Sequence, residues 1–251
     1  MKTIKFISPF WKYKFLTEGS IRIGSFDYYK NIENQNIKDE FDGGASIVYK
    51  GKKPITEEHN ALFFNDRIQL TNGWSIDTNG CPIIGKPSTY NTFIFCCSHF
   101  ENYSEIELSQ KSLGKEDYYE IFDTKKFVDI ISNALLKFCY HHFLQRPYLI
   151  DYKKLDLKKH LKISCVAQKV VYKDEPKYNI VTEKELDNFN PKTVNIDELF
   201  TKDIRYKENS EYRFIWVLFL DDKENNYISM ISIPFEYLDF KELELSKTIS
   251  C

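Results

Sequence analysis

The residues with the clearest chemical potential stand together at Glu208-Asn209-Ser210-Glu211-Tyr212-Arg213. Glu211 and Arg213 head the run EYRFIWVLFL, residues 211–220, which reads as a central strand buried on both faces. Positions two apart on a strand share a face, so the carboxylate and the guanidinium lie side by side just before the run turns apolar. A carboxylate at the mouth of a buried strand is partly desolvated and rigidly placed. The plainer reading is an ion pair at a strand edge, worth little if exposed.

A second set lies in GSIRIGSFDYYKNIENQNIKDEFDGG, residues 19–44. Ile21 and Ile23 alternate with Ser20 and Arg22, a short strand with one buried and one wet face, bracketed by Gly19 and Gly24. Tyr28-Tyr29 come next, then Asp39, Glu40 and Asp42 before a Gly43-Gly44 turn. An Arg, a Tyr pair and an acidic cluster so close together form one wall of a polar binding site. Alternatively they are a strand, an aromatic packing corner and a solvated loop. If the three carboxylates converge, they are hard oxygen ligands suited to Mg²⁺ and nuclease chemistry. Cys97 and His99, also two apart, share a strand face and could pair as thiolate and imidazole, although the apolar run around them favours a buried thiol. His141-His142 read as helix C-terminal histidines favoured by the dipole. No GxGxxG, P-loop, HExxH or GxSxG is present.

Several elements must position these groups. Lys2–Ile7 alternates and reads as a first strand, and Phe10–Glu18 as a short helix ending at Gly19. Ser46–Tyr49 is a brief strand, and Ile68-Gln69-Leu70 and Pro82-Ile83-Ile84 are hairpin candidates. Tyr90–His99 holds a continuous apolar run, expected of a central strand, and residues 118–122 form another strand. Asp123 caps the one strong helix, Thr124–Gln145, whose Phe127, Ile130, Ile131, Ala134, Leu135, Phe138 and Cys139 make an apolar face that ends at Pro147. Lys162–Tyr172 reads as a strand, Asn195–Phe200 as a short helix, Tyr227–Pro234 as a last strand, and Asp239–Ser246 as an acidic surface or edge segment.

The 251 residues show no repeat, low-complexity tract or linker, which points to a single α+β domain over residues 1–251 with a mainly antiparallel sheet. A net charge of −2 supplies no global field for nucleic acid. The six cysteines fit neither a zinc site nor a disulfide framework, which predicts a reducing, cytoplasmic setting. The N-terminus lacks the apolar core of a signal peptide, and no window approaches the ~18 apolar residues of a membrane span.

Four pieces resemble a large bacterial family of intracellular domains known only as a domain of unknown function. They are Gly19-Ser20-Ile21-Arg22-Ile23-Gly24 with Tyr28-Tyr29; Asp39-Glu40-Phe41-Asp42-Gly43; Phe95-Cys96-Cys97-Ser98; and Val171-Tyr172, Phe200, Lys202, Glu208 and Glu211-Tyr212-Arg213. The acidic piece lacks the Asn-Asp-Pro that many members carry. The layout is also similar to ADP-ribosyltransferases, which place a polar residue on an early strand, a Ser or Tyr on a middle strand and a Glu at the head of a late strand. That similarity implies NAD as substrate. Arg22 would hold its phosphates, Ser98 the nicotinamide ribose, Tyr28 or Tyr29 the nicotinamide ring, and Glu211 the developing positive charge, with Arg213 beside it. Glu208, three residues from Glu211, would face the opposite way on a strand. The resemblance further implies a toxin or phage-defence effector acting on a nucleic-acid or protein acceptor. A non-enzymatic interaction module with an antitoxin or other protein partner is the competing reading. It predicts Glu211 simply paired with Arg213, whereas the enzyme needs Arg22, Ser98 and Glu211 on one cleft.

Overall fold

The computed structural model describes residues 1–31, 46–59, 73–85, 91–112, 114–146, 156–174, 178–186, 199–223 and 227–250. In chain order the elements are β1 (Lys2–Ile7), α1 (Pro9–Glu18), β2 (Ile21–Ser25), α2 (Phe26–Asn31), β3 (Ser46–Tyr49), β4 (Ile83–Gly85), β5 (Phe93–Phe100), α3 (Tyr103–Ser112), β6 (Asp117–Ile121), α4 (Thr124–Gln145), α5 (Leu157–His160), β7 (Leu161–Lys169), β8 (Val171–Lys173), β9 (Tyr178–Val181), α6 (Glu183–Leu186), β10 (Thr201–Asp203), β11 (Glu211–Asp222), β12 (Tyr227–Ile231), β13 (Tyr237–Phe240) and β14 (Ile249–Ser250), with short 3-10 turns between some of them. The class is α+β, with a large antiparallel sheet and one long helix. The sequence reading treats residues 1–251 as one domain; spatially the chain groups into two compact units. One comprises Met1–Tyr29, Asn91–Val170 and Lys207–Cys251, the other Lys30–Tyr90 and Val171–Tyr206.

The first unit is built on β11. One edge pairs with β7 from Tyr212 to Leu220. The other edge pairs with β5 from Glu211 to Trp216 and then with β12 from Leu218 to Asp222. β1 joins β5 to β6, and β14 closes on β6. β2 meets β5 only at Gly24 and Ser25, then leaves to pair with β13. Every one of these pairings is antiparallel.

Period-two alternation gives β11 two different faces. Phe214, Trp216, Leu218 and Leu220 enter the main core with Phe93, Phe95 and Cys97 of β5. α4 covers that face because Phe127, Ile131, Leu135, Cys139 and Phe143 recur every four residues and are all buried. The stripe is narrower than the sequence suggests, since Phe138 remains partly exposed. The start of α4 lies where expected, with the Asp123 carboxylate accepting from the backbone N–H of Lys126 at 2.9 Å. Pro147 lies outside the described residues.

α1 ends at Gly19, whose φ of 58° needs a residue without a Cβ. A Cβ there would also run into the Leu243 backbone, so this glycine both stops the helix and admits a close crossing. The acidic segment expected at the surface or an edge starts in β13, which among the described strands pairs with β2 alone. Leu238 and Leu245 are core residues, and β13 and β14 both extend the sheet. The strand expected over Lys162–Tyr172 is two strands, β7 and β8, and β8 belongs to the second unit.

In that unit β3 pairs antiparallel with β4 and parallel with β9, and β8 pairs parallel with β10. Tyr49, Ile55, Val181 and Leu186 form its small core. Residues 68–70, and residues 195–198 of the expected short helix, lie outside the described residues.

Candidate functional site

The face of β11 turned away from α4 carries Glu211, Arg213 and Ile215. Register places Glu211 opposite Ser98 and Arg213 opposite Cys96, so these four side chains share one face where β11 begins beside the end of β5. Arg213 Nε donates to Glu211 Oε1 at 2.6 Å, and the two side chains are only 0% and 8% exposed. The Arg213 guanidinium also lies 5.8 Å from the centre of the Phe26 ring. A charge-assisted bond this short, removed from water, fixes the carboxylate tightly.

The chain enters this site under local constraint. A 3-10 turn over Ile204–Asn209 ends at Ser210, whose φ is 43°. A non-glycine residue in the left-handed region costs of order 1–3 kcal/mol, and such residues cluster at functional sites. Ser98 Oγ donates to the Asn209 carbonyl at 2.8 Å, and the His99 N–H donates to the Ser210 carbonyl at 2.9 Å. β5 thus ties down the turn that launches Glu211.

Tyr29 comes to the same place from β2 and α2. Burial pushes its phenol well above the ordinary range, and Cys96 and Glu211 add to the shift electrostatically. Its ring packs on the bare Cα of Gly24: an added Cβ would lie 2.7 Å from one ring carbon. The Gly24-x-x-x-Tyr28-Tyr29 spacing is therefore a steric requirement. Tyr28 meets Tyr29 edge to face at 5.3 Å.

Arg22 is engaged elsewhere. Its fork makes two bonds to Asp239 on β13, at 2.8 and 2.9 Å, and it lies over the Tyr237 ring at 4.1 Å. The bond to Asp239 raises the guanidinium pKa, with a smaller contribution from nearby Tyr28. The structure thus gathers Ser98, Glu211, Arg213 and Tyr29 into one cluster. Arg22 lies apart from it, linked to Tyr29 through Tyr237 and Tyr28. Glu208 is exposed on its turn.

Cys97 and His99 lie on the opposite, α4-side face. Burial pushes the Cys97 thiol far up, so it is no thiolate nucleophile. The His99 ring stacks obliquely on Tyr212 at 5.0 Å, and burial lowers its pKa. Asp39, Glu40 and Asp42 lie outside the described residues, and among the described residues no group of three His, Cys, Asp or Glu side chains is placed to hold a metal. No described helix is long and apolar enough to cross a membrane.

Sequence reading named Tyr28 and Tyr29 together without separating them, and missed Cys96 as a neighbour of Arg213 and Tyr29. The Gly24 spacing was the available signal for the first and strand register for the second. It also missed α3, which opens on a reciprocal cap: Asn102 Oδ1 accepts from the Glu105 N–H at 3.0 Å, while Glu105 accepts from the Glu101 N–H at 3.0 Å.

Comparison with known proteins returns nothing: no family model, no curated protein and no solved structure matches the chain.

Proposed function

We propose that the cluster where β11 begins beside the end of β5 is the catalytic end of an ADP-ribosyltransferase-like enzyme that takes NAD as substrate. The observation that supports this reading is the convergence on one sheet face of Glu211, Ser98 and Arg213, with the bonded Glu211–Arg213 pair buried. A buried ion pair adds little net stability over an apolar alternative, so its presence at a strand head calls for another role. In this reading the bond from the nicotinamide nitrogen to ribose C1′ breaks, and its electron pair leaves on nicotinamide. Positive charge develops on the ribose, facing the Glu211 carboxylate. The acceptor then bonds to C1′ and gives up its proton. Arg213 orients Glu211, Ser98 braces the turn before it, and Tyr29 offers a ring beside the reacting centre. Arg22 reaches the phosphates only by leaving Asp239.

The test is nicotinamide release from NAD by wild type and by Glu211→Gln, each with cell extract as the source of acceptor. Release by wild type that drops at least a hundredfold in the variant (~3 kcal/mol of barrier) supports the reading. A circular dichroism spectrum and melting curve of the variant separate lost chemistry from lost fold. No release, with no rise in the wild-type melting temperature on adding NAD, overturns it.

One observation favours the second reading, a protein-interaction module of a toxin or defence system. Glu211 already has a buried cationic partner, which is what a purely structural pair requires. On that reading NAD is never bound.

A further inference from the structure

α1 turns three large rings to solvent. Phe10, Trp11 and Tyr13 are 59%, 46% and 65% exposed, whereas Phe15 of the same helix is buried. These rings continue into the aromatic line that leads to Glu211. Phe10 meets Trp11 at 5.3 Å, the Arg22 guanidinium lies 6.0 Å from Trp11 and 4.1 Å from Tyr237, and Tyr237 meets Tyr28 at 5.4 Å. Lys14 Nζ sits beside both Phe10 and Trp11, 5.0 and 5.5 Å from their centres, and among the described residues it has no carboxylate partner.

We infer that this surface binds single-stranded nucleic acid. Exposed rings beside a cation are a means by which unpaired bases are held, by stacking on faces every base possesses while the ammonium, here Lys14, meets a phosphate and Arg22 stays with Asp239. A run of rings suits a polymer better than a lone nucleotide, which would occupy one or two of them. A membrane surface is disfavoured because α1 carries apolar residues on both its solvent and core sides, unlike the one-sided stripe of an interfacial helix. A protein partner would use the same rings, and the oligonucleotide titration distinguishes it. The bound strand is the acceptor of the transferase proposed above, and that assignment alone rests on the transferase reading. Binding itself requires neither NAD nor catalysis.

The test is fluorescence anisotropy of an end-labelled 15-nucleotide oligo-dT and oligo-rU, without NAD, at 50 and 200 mM salt. It is run on wild type, Trp11→Ala, Phe10→Ala and Lys14→Ala. The expected result is binding that weakens with salt, about tenfold weaker in either aromatic variant and less so in Lys14→Ala. A duplex of matched length should bind at least tenfold more weakly, because its bases are already stacked on each other. Phe10 and Trp11 are exposed and Lys14 is half-buried, so unchanged melting curves will show the variants folded. The inference is overturned by absence of binding at 50 mM salt, by equal affinity for duplex, by aromatic variants that bind like wild type, or by a protein partner that alone needs Trp11. Nicotinamide release is read separately, so failure here leaves the transferase proposal standing, and the reverse holds too.

Discussion

Two arginine–carboxylate pairs in this molecule use the same groups and differ in nearly everything else. Arg213–Glu211 lies in the sheet with both side chains almost fully buried, while Arg22–Asp239 bridges β2 and β13 with both nearly half exposed. The exposed pair has full fork geometry, with both carboxylate oxygens bonded. Geometry does not decide which pair matters. Water screens the outer pair and replaces either partner cheaply, whereas each partner of the inner pair depends on a buried counter-charge. A good-looking salt bridge on this surface is thus weak evidence of importance, and a buried one is strong evidence that both residues act as a unit.

That contrast can be broken at its buried end first. Arg213→Met takes the bonded cation from the Glu211 carboxylate and should cost about 3–5 kcal/mol, measured by urea unfolding. In a chain of this size that lowers the melting temperature by roughly 6–20 °C. The double variant Glu211→Gln with Arg213→Met should recover much of the loss. A single variant within about 1 kcal/mol of wild type would mean that the inner pair behaves like the outer one.

Around the exposed pair, backbone should outweigh charge. Gly19→Ala forces a side chain into left-handed backbone and against Leu243, and should cost of order 1–3 kcal/mol. It should exceed the effect of either charge variant on the neighbouring strands, and denaturant titration of the three proteins ranks them.

The other face of the same strand head gives a smaller effect with a defined sign. Burial holds the His99 pKa below 6.5 in the folded protein, so between that lower value and 6.5 the unfolded chain binds more protons. His99 therefore leaves stability intact above pH 6.5 and weakens it as pH falls below that value. His142 has the same direction, also from burial first. Unfolding midpoints from pH 8 to 5 should fall less steeply in His99→Gln than in wild type; equal slopes would remove His99 from the account.

The smallest effect belongs to the outer pair. Arg22→Ala and Asp239→Ala should each change stability by about 0–1 kcal/mol, and less at high salt. A loss of several kcal/mol in either would show that the exposed pair is not the weak one.

Much of the fold was legible because local pattern and tertiary demand agree. The apolar runs of β5 and β11, the four-residue stripe and Asp123 cap of α4, and Gly19 at the end of α1 each state their structure within about twenty residues. α3 was missed although its Asn102-x-x-Glu105 cap is in plain view, because the helix exposes Leu108 and buries only Ile106, leaving little periodic signal. The segment Asp239–Ser246 read as surface or edge from its charges, but its pairing with β2 and the burial of Leu245 depend on distant partners. Two interleaved units went unseen because no change of composition marks the crossings.

Spacing along one chain is thus enough to tell which stretches are strands or helices and which side of each is apolar. It is enough as well to show that Glu211 and Arg213 face the same way, being two apart on a strand. Tertiary structure was needed to show that Arg22 spends its fork on Asp239, 217 residues away, and that Tyr29 rather than Arg22 approaches Glu211. Those outcomes depend on which strands pair and in what register. Register is set by the packing of the whole sheet, and no single stretch contains it.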